Sequence, residues 1–183
     1  MKRLLIAGIG AVALIVPVPL ITQLSGWQSD TAVAQNPQNQ QALQLLLAAE
    51  KQVVTKDQQG KQKVSWQALT SGERVTPGDV LKYTLSGQNR SDRQLRNITL
   101  NQPIPQGMVY VLKSVNAGSN TQVTYSIDSG RNFVANPTVR VTLANGQVET
   151  RPAPATAYTH IRIKIPSLPA KTTVKVSYQT QVR

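Results

Sequence analysis

Apolar and polar residues alternate with a period of two along most of this chain. Leu81, Tyr83 and Leu85 are separated by Lys82 and Thr84, and Val123, Tyr125 and Ile127 by Thr124 and Ser126. Ile161, Ile163 and Ile165 are separated by Arg162 and Lys164, and Val174, Val176 and Tyr178 by Lys175 and Ser177. Successive side chains of an extended strand point to opposite faces, so each run predicts a strand with one buried face and one wetted face. Leu95 to Leu100, Met108 to Val115, the alternating Val139, Val141 and Leu143, and Thr173 to Val182 complete the strands predicted beyond residue 80. Turns separate them at Thr76-Pro77-Gly78-Asp79, Asn116 to Asn120, Asp128-Ser129-Gly130 and Asn145-Gly146. In such turns proline fixes one φ, glycine supplies a positive one, and Asn or Asp bonds its own backbone. Pro103 and Pro105 remove two N–H donors around Ile104, so that segment is expected to cross between sheets or run along an edge. Arg151 to Ala155 is expected as an extended loop, Pro166 to Ala170 as the end of a strand, and Phe133 as a plug at one end of the core. About seven to nine short strands with regular turn signals predict an all-β fold, an immunoglobulin-like β-sandwich, rather than an α/β arrangement.

One segment carries two patterns. Between Ala42 and Thr55 the residues Leu43, Leu45, Leu46, Leu47, Ala48 and Ala49 favour helix by propensity. Yet Leu43, Leu45 and Leu47 alternate, Val53 and Val54 are β-branched, and Gln58-Gln59-Gly60-Lys61 is a turn ahead of Val64 to Leu69. The reading adopted is a long first strand, a hairpin turn and a second strand carrying Trp66. A short helix over residues 41–51 is the alternative.

The N-terminus adds a destination. Met1-Lys2-Arg3 is followed by an almost wholly apolar run from Leu4 to Ile21, and Ala32-Val33-Ala34 offers a small-x-small processing site. This predicts a signal peptide over residues 1–34, a disordered Gln/Asn-rich tail over 35–41 and the sandwich domain over 42–183. An uncleaved membrane anchor is the competing reading, because the apolar run approaches the length of a bilayer span; Pro17 and Pro19 interrupt it and favour processing. The protein is expected to be exported, to the periplasm or beyond the cell.

Composition narrows the chemistry. There is no cysteine, which excludes disulfides, thiolate metal sites and thiol catalysis. Lysine and arginine outnumber the acids 20 to 8, a net charge of +12, and such a surface attracts polyanions without choosing among them. Arg140, Arg162, Lys164 and Lys175 fall opposite the apolar positions of their strands. If those strands share a sheet they form one positive face for an anionic ligand; the competing reading is a solvated sheet face. His160, the only histidine, falls on an outward position as a surface residue. Asp128 and Asp92 are conceivable calcium ligands whose ordinary role is turn formation. Trp66 reads either as a core residue or as a sugar-stacking platform. No carboxylate pair, metal-ligand spacing or phosphate-cradling loop is present, so no catalytic, cofactor-binding or metal-binding residue is assigned. Aromatics are 4% of the chain and export is expected, which disfavours nucleic acid.

The run Val75-Thr76-Pro77-Gly78-Asp79 through Leu85, then Asn89, then Asn97 to Leu100, then Pro103-Ile104-Pro105-Gln106-Gly107 into Val111, resembles the conserved-repeat domain of bacterial surface and exported proteins, a domain of unknown function numbered eleven. Tyr125 to Gly130 and Tyr158 to Arg162 are similar to its single-copy cyanobacterial form. The resemblance implies an immunoglobulin-like sandwich outside the cytoplasm, used as a spacer or surface module, with no defined catalytic residue. The expected function is therefore a non-enzymatic structural or interaction role at the cell envelope, with envelope polysaccharide or another envelope protein as partner and membrane contact only through an uncleaved N-terminus. The alternative is a binding protein for an anionic glycan or lipid headgroup. Pairing of the terminal strand Thr173 to Val182 with another chain is a further possibility.

Overall fold

The structure, a computed structural model, describes residues 33–34, 42–70 and 73–183; the signal expected over residues 1–34, apart from Val33 and Ala34, and the tail expected over 35–41 lie outside the described residues. The described strands are β1 (Val33–Ala34), β2 (Leu43–Lys56), β3 (Gln62–Ala68), β4 (Val80–Asn89), β5 (Leu95–Pro103), β6 (Met108–Tyr110), β7 (Gln122–Ser126), β8 (Thr138–Thr142), β9 (Val148–Pro152), β10 (His160–Leu168) and β11 (Thr173–Val182). The fold is all-β and every strand pairing is antiparallel. A four-stranded sheet has the order β1-β5-β10-β7, a five-stranded sheet β3-β2-β4-β11-β6, and β8-β9 stand apart as a two-stranded sheet. Eleven described strands exceed the seven to nine expected, because Val33–Ala34 and Val148–Pro152 also pair.

The alternation works as the pattern predicts on β4, β10 and β11, whereas Ile127, Val139 and Val141 lie outside the core cluster and Ser126 is buried in place of Ile127. Leu81, Tyr83 and Leu85 on β4 and Val176 and Tyr178 on β11 share one buried cluster with Leu95, Ile98 and Leu100 on β5 and Ile161, Ile163 and Ile165 on β10. One core therefore lies between the two main sheets, a sandwich-like packing. Its central isoleucines, Ile161 and Ile163, are fully buried, each worth about 1.5–3 kcal/mol of burial. β10 runs past Pro166 to Leu168, further than expected, because Pro166 lies opposite Asn97, whose φ is 53°. Both strands change phase there together, so Leu95 and Ile98 are buried three positions apart, as are Ile165 and Leu168. Asparagine tolerates the left-handed region that this change requires.

The ambiguous leucine run is strand. Leu43, Leu45 and Leu47 turn to the core while β2 pairs with β4, and tertiary pairing overrides helix propensity. Pro103 and Pro105 do carry the chain from one sheet to the other, from β5 to β6. The strand expected over Met108 to Val115 stops at Tyr110; Lys113 has a φ of 62°, and only Asn116 bridges again, to Ser177. Arg151 and Pro152, expected in a loop, instead end β9, because the Asn145-Gly146 turn sets Val148–Pro152 against Thr138–Thr142. Three tyrosines close one side of the core: the rings of Tyr110, Tyr125 and Tyr158 lie 5.3–5.5 Å apart, centre to centre.

The core also contains sparsely bonded polar atoms. Among the described residues the Thr180 hydroxyl is buried with no hydrogen bond, and the buried Tyr178 hydroxyl has only the Gln102 side chain beside it. Thr180→Val removes the unpaired hydroxyl at nearly constant shape and is expected to stabilise the protein by about 1 kcal/mol, read from the denaturant midpoint. A lowered midpoint would show that the hydroxyl has a partner.

Candidate docking surface

The four basic residues singled out in the sequence do not form one face. Arg162 and Lys164 lie on β10, Lys175 on β11 in the other main sheet, and Arg140 on β8 in the small hairpin. The condition fails because β10 pairs with β5 and β7, while β11 pairs with β4 and β6. Arg162 is also engaged: its guanidinium carbon sits 3.5 Å from the Phe133 ring centre, and its Nε donates to Oδ1 of Asn101 at 2.8 Å. Phe133 is thus not the expected core plug. It covers the outer side of β10, flanking Arg162 and meeting His160 edge-on at 6.4 Å, since a guanidinium on a sheet face offers an aromatic a cation to stack on. His160 is on the outer face as expected, with Nδ1 3.1 Å from the Thr159 hydroxyl.

Each described carboxylate has a structural task. Glu50 pairs with Lys82, Asp79 with Lys51, Glu149 with Arg151 and Asp92 with Lys171. Asp57 accepts the backbone N–H groups of Gln59 and Lys61 and so shapes the β2–β3 turn. Glu73 accepts from the Gln67 amide and the Thr70 N–H. Asp128 accepts from the Asn132 N–H and side chain and from the Ser126 hydroxyl, and these donors hold its pKa well below the usual 3.8. Asp79 is lowered as well, first by the Lys51 ammonium and then by the Thr76 N–H. Both folded pKa values lie below the unfolded ones, so what these groups contribute is complete near neutral pH and is lost as pH falls through the lowered values. Asp128 sits beside the start of β10 and Asp92 beside its end, roughly 25 Å apart along the strand, so they cannot share a calcium ion. Among the described residues no group of three or more acidic or histidine side chains gathers as a metal site.

What the structure does assemble is an outer face on the five-stranded sheet. Leu43, Leu45 and Leu47 face the core, so the even-numbered positions of β2 face outward, and the register Val54↔Val64 and Gln52↔Trp66 carries that face onto β3. Leu46, Val54 and Val64 are each more than half exposed on it. Trp66 lies on the same side, half-buried and outside the core cluster, which corrects its reading as a core residue. It is outward because its partner Gln52 is on the outward phase of β2, and β3 is the edge strand of its sheet. The Lys82 ammonium, which is bonded to Glu50 at 2.7 Å, stands 4.6 Å from the Trp66 ring centre. A flat aromatic, three aliphatic side chains and a fixed ion pair thus share one surface, and Lys56, Lys61 and Lys63 are exposed around the adjoining hairpin tip. Val54 and Val64 face each other directly beside Trp66, whereas Leu46 lies about 20 Å further along β2, so the compact part of this surface is the Val54–Val64–Trp66 group. Sequence reasoning missed Leu46, Val54 and Val64, although the phase of Leu43, Leu45 and Leu47 already turns Leu46 outward. No protein-family model matches the chain, and comparison with curated proteins and with solved structures likewise finds no match.

Proposed function

We propose that this protein is an exported, non-enzymatic module with an immunoglobulin-like β-sandwich, similar to the conserved-repeat domain of bacterial surface proteins, that acts at the cell envelope by docking another envelope component. The observation that carries this reading is the Trp66 face. An indole held open on a sheet by Lys82, with Leu46, Val54 and Val64 exposed on the same side, has the chemistry of an interface centre, where tryptophan contributes most. The N-terminal segment, with its basic start, apolar run and Ala32-Val33-Ala34, supports export. The test is capture from an envelope fraction by the immobilised protein. Trp66→Ala, which removes an outward side chain and leaves the core cluster intact, is expected to weaken capture about 30-fold, as loss of a central interface tryptophan does. Equal capture by both proteins overturns the reading.

A second reading, an anionic glycan or lipid headgroup as ligand, is favoured by one observation. Arg162 is occupied by Phe133 and Asn101, whereas Lys56 and Lys61 stand exposed at the hairpin tip beside the Trp66 face. On this reading the ligand site moves from the β10 residues to the hairpin. Capture that fades steeply as salt rises supports it, because exposed charges are screened over about 10 Å at 0.1 M salt; capture indifferent to salt supports a protein partner.

A further inference from the structure

The edges of the two main sheets are not alike. On the four-stranded sheet, β5 carries Pro103 and the left-handed Asn97 and is joined by Val33–Ala34, while β7 is short and is bridged at Tyr125 by Val134. On the five-stranded sheet, β6 spans only Met108–Tyr110 and follows Pro105. These are the usual devices by which proteins blunt a sheet edge. The terminal strand β11, considered from sequence as a pairing edge, is interior, between β4 and β6. β3 is the exception. It pairs with β2 without interruption from Ala68↔Glu50 to Gln62↔Lys56, contains no proline and carries one charge, Lys63.

The hydrogen-bond phase of that edge follows from one bond. The Leu69 N–H donates to the Ala49 carbonyl, so the odd-numbered residues of β3 bond β2, and Gln62, Val64, Trp66 and Ala68 turn their N–H and C=O groups to the edge. We propose that this edge pairs with the β3 edge of a second copy, antiparallel about a two-fold axis at Ser65. In that register Val64 opposes Trp66 of the other copy, and Gln62 opposes Ala68, each pair exchanging both backbone bonds. Val64 and Trp66 are outward on the same side, so the exposed valine packs beside the indole. Lys63 opposes Gln67, whose amide nitrogen lies 3.2 Å from a Glu73 carboxylate oxygen, so the one charge on the strand meets an opposite charge. The surface is self-complementary, as an isologous dimer requires, and this selects a second copy over an unrelated strand. The two five-stranded sheets become continuous and place both Trp66 side chains on one surface, so the inference extends the docking reading and rests on it for its purpose alone.

Sedimentation and introduced cysteines test it on the full chain, which has no cysteine of its own. The protein sediments at twice the monomer mass. Ser65 opposes itself in a non-hydrogen-bonded pair, with Cα atoms about 4.5 Å apart, within reach of a disulfide. Ser65→Cys therefore forms a covalent dimer on mild oxidation. Lys63→Cys alone and Gln67→Cys alone do not, whereas a mixture of the two does. Val64→Pro, which deletes an N–H facing the edge and none facing β2, sediments as a monomer with an unchanged circular dichroism spectrum. Monomer mass at every concentration together with no Ser65→Cys cross-link overturns the proposal. So does cross-linking of Lys63→Cys alone as readily as Ser65→Cys, a result that reads out even if Val64→Pro does not fold. Failure here is separate from failure of docking: a monomer that still captures an envelope component through Trp66 removes only the dimer, and a dimer that captures nothing removes only the docking reading.

Discussion

Asn89→Ala is expected to destabilise the protein by about 4 kcal/mol, since it removes a set of buried and part-buried hydrogen bonds worth roughly 0.5–1.5 kcal/mol each. Asn89 is fully buried at the end of β4. Its side-chain nitrogen lies 2.8 Å from the Arg93 carbonyl oxygen, 3.1 Å from that of Leu168 and 2.9 Å from that of Pro169, and its Oδ1 accepts from the N–H and hydroxyl of Ser91. One amide thereby ties the β4–β5 loop to the end of β10, and so one main sheet to the other. Alanine removes the buried donor to the Leu168 carbonyl, while the Arg93 and Pro169 carbonyls keep donors from Ser91 and Thr172. Aspartate offers acceptors where the carbonyls need a donor and is expected to be at least as damaging. Guanidinium unfolding followed at two wavelengths measures the loss; a midpoint shift worth under about 1 kcal/mol, with m unchanged, would mean that the loops hold each other without Asn89.

The second large effect is expected at Tyr110. Its ring is almost wholly buried and touches Tyr125 and Tyr158, and its hydroxyl lies 3.3 Å from that of Tyr125. β6 is only three residues long, so this side chain, more than backbone pairing, fastens that edge of the five-stranded sheet to β7 opposite. Tyr110→Ala is expected to cost about 4 kcal/mol, in the range for a buried aromatic replaced by alanine, while Tyr110→Phe costs about 1 kcal/mol or less because only a hydroxyl pair is lost. Thermal melts of the two variants check the contrast. Equal losses would mean that the hydroxyl, not the ring, carries the contact. Burial also pushes the Tyr125 phenol well above its usual range, with the Tyr110 hydroxyl adding to it, so the Tyr125 phenol stays protonated near neutral pH.

The class of fold was legible because period-two burial is a local signal. Ile161, Ile163, Val176 and Tyr178 needed no partner to be identified as inward. Turn residues were equally readable: Gly78 and Gly146 have the positive φ that their turns require. What local patterns could not supply was adjacency. Arg140, Arg162, Lys164 and Lys175 share a phase but not a sheet, and strand order is set by long connections that no period encodes. Trp66 and Phe133 failed in the same way. Both are large and apolar, so burial was expected; Lys82 and Arg162, remote in sequence, give each an outer position to occupy. Asn89 stood out only as part of a resemblance, because two of its three carbonyl contacts come from the end of β10, far along the chain. Leu46, Val54 and Val64 were within reach of the phase argument, and their exposure follows from a sheet edge with nothing stacked over it.

β2 is about 45 Å of continuous strand, yet its two halves have different neighbours. Leu43 to Lys51 pairs with β4 and shares in the cooperative unit, whereas beyond Gln52 the strand is tied to β3 alone. In a single copy the distal hairpin can therefore fray and re-form without the rest of the protein opening, and amide protons along a single strand span the range from slowest to fastest exchange. The arm is in this sense sprung from a rigid base: it can bend while the core registers nothing.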